Sequence, residues 1–393
     1  MRFPWLILIF ILIPFVTLAQ YGIITGTVTH EGKPLPRASV FLSNSSVGSA
    51  TTEDGTYTLN GIRPGQYTLV VTILGYEEYS KPVLVGREPI KLNIELTPKP
   101  LELREVVISS SADWKKNYEA FRKDFIGIDE NAKSCFVMNP HILNIVYNPT
   151  KQTLTADADE FLVVENKALG YRVKFLLKDF KSDKIANIIS YEGQRLFEEL
   201  PGSEAQKRKW HEKREEAYYG SAMHFYRSLY TDKLTQEGFV MYKYNRYLNP
   251  ARPEEEIIRR KINIFRQKGM RDSANYWVGL ANMSKYYHES LVQPPLNQFE
   301  VLVSTGQPGL YAIHFAKYLY VVYTKKRDEV FNKDIYRPLD MPNYETSVIT
   351  LFEPYSVFDM NGIIVGNAPL YEGTWAKSKL SDLLPVDYVP DNK

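Results

Sequence analysis

At 393 residues the chain is long enough for two or three domains. Its 44% apolar and 24% charged content is that of a globular protein and excludes a disordered, low-complexity chain. The net charge of +2 argues neither for nor against a highly charged partner, and no motif speaks for nucleic acid. The single cysteine, Cys135, excludes an intramolecular disulfide.

The first residues carry an export pattern. Arg2 supplies a positive start, Leu6 to Phe15 form an apolar run broken only by Pro14, and Thr17-Leu18-Ala19 offers small residues before Gln20. The pattern predicts a signal peptide over 1–19, cleaved near Ala19. The alternative is a retained membrane anchor, since the run with its flanks approaches the lower limit for a span. No Cys stands directly after the cleavage site, so the usual bacterial lipid anchor is not expected. No later stretch is apolar enough to cross a bilayer, so no transmembrane span is expected in the mature chain.

From residue 20 to 97 short β-rich runs alternate with turns. Strands are predicted at Ile23 to Val28, Val40 to Leu42, Tyr57 to Leu59, Tyr67 to Leu74 and Ile90 to Leu96. Asp54-Gly55 and Pro64-Gly65 are turn dipeptides, because Gly accepts positive φ and Pro presets the first corner. Tyr67, Leu69, Val71 and Ile73 fall on one side of their strand, opposite Thr68 and Thr72. Spacings of roughly ten residues without a helical stretch predict an all-β sandwich of two sheets, immunoglobulin-like in layout.

The motifs Gly26-Thr27-Val28, Pro36 to Val40, Thr52 to Tyr57, Pro64-Gly65-Gln66-Tyr67 and Gly75-Tyr76 together resemble the carboxypeptidase-regulatory-like domain, over about a fifth of the chain. The resemblance implies a transthyretin-like sandwich. Such a domain accompanies some zinc carboxypeptidases and extends many outer-membrane transporters of Bacteroidetes. Leu103-Arg104-Glu105-Val106-Val107-Ile108 looks like the segment that joins the domain to the plug of those transporters. The sequence departs from both relatives. No His has Glu three residues on, as a zinc carboxypeptidase requires. The remaining residues cannot supply a plug and a barrel of about 22 strands.

Residues 98–112 form a predicted linker, stiff at Pro98-Lys99-Pro100 and loose at Ser109 to Ser111. An α+β domain is expected over 113–393, because strands, helices and strands follow in order. A helix from about Ser111 places Trp114, Tyr118, Phe121 and Phe125 on one stripe across the first sheet. Strands follow in Leu154 to Val164, Tyr171 to Leu177, Ile185 to Ile189 and Gln194 to Leu200. Interleaved charges from Glu204 to Glu216 predict a solvated helix with ion pairs, and Gly220-Ser221 interrupts before a second helix through Phe225. Pro253 and Glu254 to Glu256 start a helix buried along Ile258, Ile262 and Phe265. Asp272 is expected to cap another, with Tyr276, Leu280, Met283 and Tyr287 on one face. Strands are predicted again at Phe299 to Val303, Tyr311 to Tyr323, Ser347 to Phe352 and Asn361 to Val365, where Asn361-Gly362 signals a turn. Segments such as Ala158 to Phe161, Glu165 to Tyr171 and Tyr218 to Ser221 resemble uncharacterised Bacteroidetes envelope proteins with the same N-terminal domain.

The chemistry-bearing candidates are sparse. Cys135, beside Phe136 and Val137, is expected as a buried small residue rather than a nucleophile. Asp157 and Asp159 with Glu160 offer oxygen ligands for Ca²⁺, but without the glycine turn and final Glu of a calcium loop. His224 near Tyr218, Tyr219 and Tyr226 offers a base or a satisfied structural ring. The 28 tyrosines suit cores, interfaces or glycan stacking. No cofactor or metal is expected, and no catalytic residue stands out. The expectation is a non-catalytic protein in the periplasm or peripheral to the outer membrane. It would bind an envelope protein or a glycan or peptide polymer, with an outer-membrane transporter system as a possible associate. The alternative is a peptidase or esterase with a dispersed active site, tested at His211 or His224.

Overall fold

The structure, a computed structural model, describes residues 21–100, 111–328 and 335–391. The export segment 1–19, the Leu103 to Ile108 motif and most of the 98–112 linker lie outside the described residues.

Nine strands build the N-terminal sandwich: β1 (Gly22–His30), β2 (Lys33–Pro34), β3 (Ser39–Leu42), β4 (Gly48–Ala50), β5 (Thr56–Ile62), β6 (Gly65–Thr72), β7 (Tyr79–Val85), β8 (Ile90–Lys91) and β9 (Ile94–Glu95). One sheet runs β2-β1-β5, with β8 and β9 parallel to β1; the other runs β4-β3-β6-β7. Ile24, Val28 and Leu59 face Val40, Leu42, Leu69 and Val71 across the core. Ile90 to Leu96 is not one strand. The Thr27 N–H donates to the Asn93 side chain at 3.2 Å, so a carboxamide replaces the ladder at that point. Gly26 sits beside this break. A Cβ there would stand 1.7 Å from the Leu92 carbonyl oxygen, so only glycine admits the close approach.

The next region opens with α1 (Ser111–Phe125) and α2 (Glu130–Lys133), then β10 (Cys135–Val137), β11 (Asn144–Asn148), β12 (Thr153–Asp157), β13 (Phe161–Asn166), β14 (Tyr171–Asp183) and β15 (Ile188–Glu199). The sheet runs β10-β13-β14-β12-β11, and β15 pairs along the length of β14. The predicted aromatic stripe of α1 lies on this sheet. Phe121 is 4.8 Å from the Phe180 ring centroid and Phe125 is 5.2 Å from that of Phe175.

The remaining elements are α3 (Glu204–Tyr218), α4 (Ala222–Tyr230), α5 (Leu234–Glu237), β16 (Phe239–Leu248), α6 (Glu255–Gln267), α7 (Arg271–Ala281), β17 (Tyr286–Leu296), β18 (Leu302–Ser304), β19 (Leu310–Ile313), β20 (Tyr318–Arg327), β21 (Tyr344–Thr350), β22 (Ser356–Asp359), β23 (Ile364–Val365), β24 (Leu370–Gly373) and α8 (Thr374–Lys377). They form two sheets, β17-β16-β20-β21-β24 and β18-β19-β22-β23. Phe225 and Leu229 of α4 are fully buried in the core these sheets share, with Phe239, Val321, Ile349 and Phe358. Ser203 starts α3 through a capping box with Gln206, and the Ser221 side chain accepts the His224 N–H to start α4.

Three expectations fail here. The helix with Tyr276 begins at Arg271, so Asp272 lies in its first turn instead of capping it, and it ends by Ala281. Tyr287 belongs to β17, because pairing of Leu248 with Tyr286 draws that segment into the sheet. Phe299 lies in a 3₁₀ turn capped by Asn297, not in a strand. Tyr311 to Tyr323 divides between β19 and β20, which belong to different sheets.

The sandwich and the α+β region are packed together. Phe41 and Val70 point away from the sandwich core and pack with Leu196 and Phe161. The Asn44 N–H donates to the Arg195 carbonyl at 2.7 Å, and Lys178 pairs with Glu78 at 2.9 Å. The segment after Leu380 laces the parts: Leu380, Leu384 and Tyr388 enter the core under α1, and Val386 enters the sandwich core.

Candidate binding cleft

A cleft of about 1410 Å³ opens where the sandwich, α3 to α5, β20 and the segment after Val386 converge. On the sandwich side it is walled by Arg63 and Pro64, part of the turn motif singled out in the sequence. Gly65 brings that turn against the second predicted turn, Asn361-Gly362. A Cβ at Gly65 would lie 2.9 Å from the Asn361 amide nitrogen, which donates to the Gln66 carbonyl at 3.3 Å.

Arg227 of α4 fixes the floor. Its guanidinium donates to the carbonyls of Asn361 (2.8 Å), Tyr388 (2.9 Å) and Val386 (2.7 Å). The planar fork suits three fixed acceptors, which a lysine could not hold together. The Val386 N–H donates to the Asn44 carbonyl at 2.7 Å, and the Ser46 N–H donates to Asp387 at 2.8 Å. The floor is therefore a chain segment held in place from both sides.

His224 lies at the back of the cleft, 3% exposed. Its Nδ1 accepts the Gly220 N–H at 3.1 Å, which leaves Nε2 to carry the proton and donate to Glu237 Oε2 at 3.2 Å. Burial drives its pKa down to about 4, against the opposing pull of Glu237, so the ring is neutral near neutral pH. Phe239, Tyr218, Tyr219 and Tyr323 surround it, with ring centroids between 4.9 and 5.8 Å. Gly220 permits this closeness: a Cβ there would lie 2.7 Å from the Tyr323 ring. Ser228, one turn along, donates to the His224 carbonyl at 2.7 Å rather than to its ring.

Most charges around the cleft are paired within the chain. Lys326 meets Glu345 at 2.8 Å and Lys325 meets Glu237 at 4.0 Å, whereas Glu212 lines the cleft without an ion-pair partner among the described residues, and Asp391 has only the His211 ring beside it at 3.1 Å. Arg63 and Lys233 also line the cleft, with no carboxylate in ion-pair distance among the described residues. Tyr218, Tyr219, Tyr230 and Tyr323 supply aromatic lining.

The other candidates lie elsewhere. Cys135 is buried, its thiol pushed up to about 12 by burial, and its Sγ reaches the Asn131 carbonyl at 3.4 Å. Asp157 accepts from Asn144 at 3.0 Å, whereas Asp159 pairs with Lys99 at 2.8 Å, so the two carboxylates serve different partners. Among the described residues no three His, Cys, Asp or Glu side chains cluster as metal ligands. The charged helix α3 carries the expected pairs, Lys207 with Glu204 and Lys213 with Glu216. Arg63, Arg227, Lys233 and Glu237 escaped the sequence reading. The turn dipeptides that position them were visible, but their meeting depends on contacts nearly 300 residues apart in the chain.

None of the curated proteins matches this sequence. Among solved structures, it is similar to a type II cohesin–X-dockerin complex of Acetivibrio cellulolyticus, at 12% identity and TM-score 0.18 over 20% of this chain and 58% of that one. It is also similar to the minor pilin of Streptococcus agalactiae, at 18% identity and TM-score 0.19, covering 23% of this chain and 49% of the pilin. A DUF3823 family protein of Bacteroides ovatus matches at 14% identity and TM-score 0.17, over 46% of this chain and 82% of that one. The sequence of residues 24–108 matches the family described as the CarboxypepD_reg-like domain. The N-terminal sandwich is a CarboxypepD_reg-like domain, followed by a larger α+β region.

Proposed function

We propose that the chain is an exported, non-catalytic envelope protein that binds a negatively charged stretch of an envelope protein or surface polymer in the cleft beside Arg227. The observation that carries this reading is the cleft itself. Arg63 and Lys233 line it without carboxylate partners among the described residues, alongside Tyr218, Tyr219, Tyr230 and Tyr323, while Lys325 and Lys326 are paired with Glu237 and Glu345. Tyrosine rings give a peptide or glycan a large rigid contact, and the two cations fix the position of its acidic groups. Export, to the periplasm or the periphery of the outer membrane, rests on the apolar start and the Thr17-Leu18-Ala19 junction. A role beside an outer-membrane transporter system rests on the CarboxypepD_reg-like domain.

The non-catalytic part of the reading rests on His224. Both ring nitrogens are engaged and the ring is caged, which leaves no lone pair for a substrate. The test is an array of acidic peptides and acidic glycans probed with the mature chain. Retention is expected for acidic members, with loss of at least tenfold in affinity in the Arg63→Glu, Lys233→Glu double variant. A peptidase or esterase activity abolished at His211 or His224 would replace this reading with the hydrolase one.

A further inference from the structure

The excursion between β16 and β17 is a helical hairpin with an uncovered outer side. Its base is tied: Arg252 donates to the Met283 carbonyl at 3.0 Å and to Glu255 at 2.6 Å, and the Asn249 N–H donates to the Lys285 carbonyl at 3.0 Å. Above the base, α6 packs on α7, and Ile258 of α6 and Ala274 of α7 are buried. With 13 residues, α6 is about 20 Å long. A hydrogen bond from Arg259 to the Lys184 carbonyl at 2.8 Å, in the turn between β14 and β15, steadies its flank.

The outer side has a definite composition. Ile257, Lys261, Ile264 and Lys268 recur at i, i+4, i+7 and i+11 and so form one stripe on α6. Ile257 and Ile264 are exposed on it, and Met270 is exposed at the tip between the helices. Charge is segregated along the hairpin. Glu254, Glu255 and Glu256 sit at the base, whereas Lys261, Arg266, Lys268 and Arg271 follow with no carboxylate between them, and Asp272 is the one carboxylate in the rest of the hairpin. Arg252, Arg259 and Arg260 are engaged by Glu255 and Glu256; the four tip cations have no ion-pair partner among the described residues.

We infer that the tip of the α6–α7 hairpin docks on an anionic lipid surface. Two features select that occupant. Aliphatic side chains and lysines alternate on one stripe, and a headgroup layer accepts both, since lysine stems lie along apolar surface while their ammonium groups reach phosphate. A nucleic acid backbone would satisfy the cations and leave Ile257, Ile264 and Met270 nothing to bury. A second copy of the chain would bring four like charges against four. The inference goes beyond the proposed function, because this hairpin contributes nothing to the lining of the cleft.

The test uses the mature chain with vesicles of phosphatidylcholine, with or without phosphatidylglycerol, in a sedimentation assay at low and high salt. Binding is expected only with phosphatidylglycerol, and salt should weaken it. Each tip cation contributes about 1 kcal/mol near such a surface, so Lys261→Gln, Lys268→Gln, Arg271→Gln together should weaken partitioning roughly a hundredfold. A second variant, Ile264→Asn with Met270→Asn, should weaken it at least tenfold, with circular dichroism confirming the fold. Absence of binding, equal binding to phosphatidylcholine alone, or binding unchanged in both variants would overturn the inference. So would self-association through the hairpin, detected as a dimer that the Ile264, Met270 variant abolishes. Retention on the acidic arrays by a chain that ignores vesicles would leave the cleft reading intact and remove this one.

Discussion

The β4-β3-β6-β7 sheet and the α6–α7 hairpin are both amphipathic, yet only the sheet is covered on both sides. In the sheet, Val40, Leu42, Leu69 and Val71 form one face of the sandwich core, while Phe41 and Val70 on the other face meet Leu196 and Phe161. In the hairpin, Ile258 is fully buried and Ile264, on the other side of the same helix, is 37% exposed. Local sequence dictates the alternation in each case. Whether the second face is covered depends on another part of the chain. An apolar residue on a second face is therefore either a joint within the molecule or a surface left for something else, and burial separates the two.

Phe41→Ala is the strongest way to break the comparison. Truncating this fully buried ring between the sandwich and β15 should cost about 3 to 5 kcal/mol. Urea unfolding of the mature chain gives the number. A cost under about 1 kcal/mol would mean that the sandwich does not rest on the α+β region in solution.

The sandwich was legible because its motifs encode backbone necessity. Gly26 stands where the Leu92 carbonyl approaches, and Gly55 takes a φ of 70° in its turn. The aromatic stripe of α1 was legible for the same local reason. β7 was missed because Pro82 interrupts its run; it is an edge strand, where a missing N–H costs no ladder bond. β16 was missed as well, since its tyrosines and basic residues show no clean alternation. Its two faces are both partly buried, with Met241 in one core and Tyr244 in the other. The cleft was the least legible feature. Pro64-Gly65 and Asn361-Gly362 each announce a turn, but nothing local says that they meet, or that Val386 returns to the sandwich core.

The cleft lies between the two extremes, and pH sharpens its place. The folded-state pKa of His224, near 4, lies below the roughly 6.5 of an unfolded histidine, so acid protonates the unfolded chain first. The stability this ring contributes is complete above about pH 6.5 and is lost progressively as the pH falls toward about 4. Asp359 acts in the opposite sense. Burial raises its pKa to about 6, so it favours the folded state as the pH falls below that value. His224→Gln removes only the first effect, because a carboxamide can still accept from Gly220 and donate to Glu237. The wild type should lose on the order of 2 kcal/mol relative to the variant between about pH 7 and pH 4.5. Parallel stability profiles for the two proteins would show that the ring is not held neutral.

The smallest expected effect tests the comparison within a single helix. Ile258 and Ile264 of α6 have the same side chain, so their helix propensities cancel, and only their surroundings differ. Ile258→Ala opens a cavity on the buried side of α6 and should cost about 2 to 4 kcal/mol. Ile264→Ala truncates a side chain that is 37% exposed and should cost under about 1 kcal/mol. Thermal unfolding of both variants at low protein concentration checks the pair. If Ile264→Ala cost as much as Ile258→Ala, the outer stripe would be covered by the protein itself, and the hairpin would join the sheet as a surface buried on both sides. A small cost leaves the stripe little used by the fold, so its apolar residues between cations are explained by what the hairpin touches and not by what it holds together.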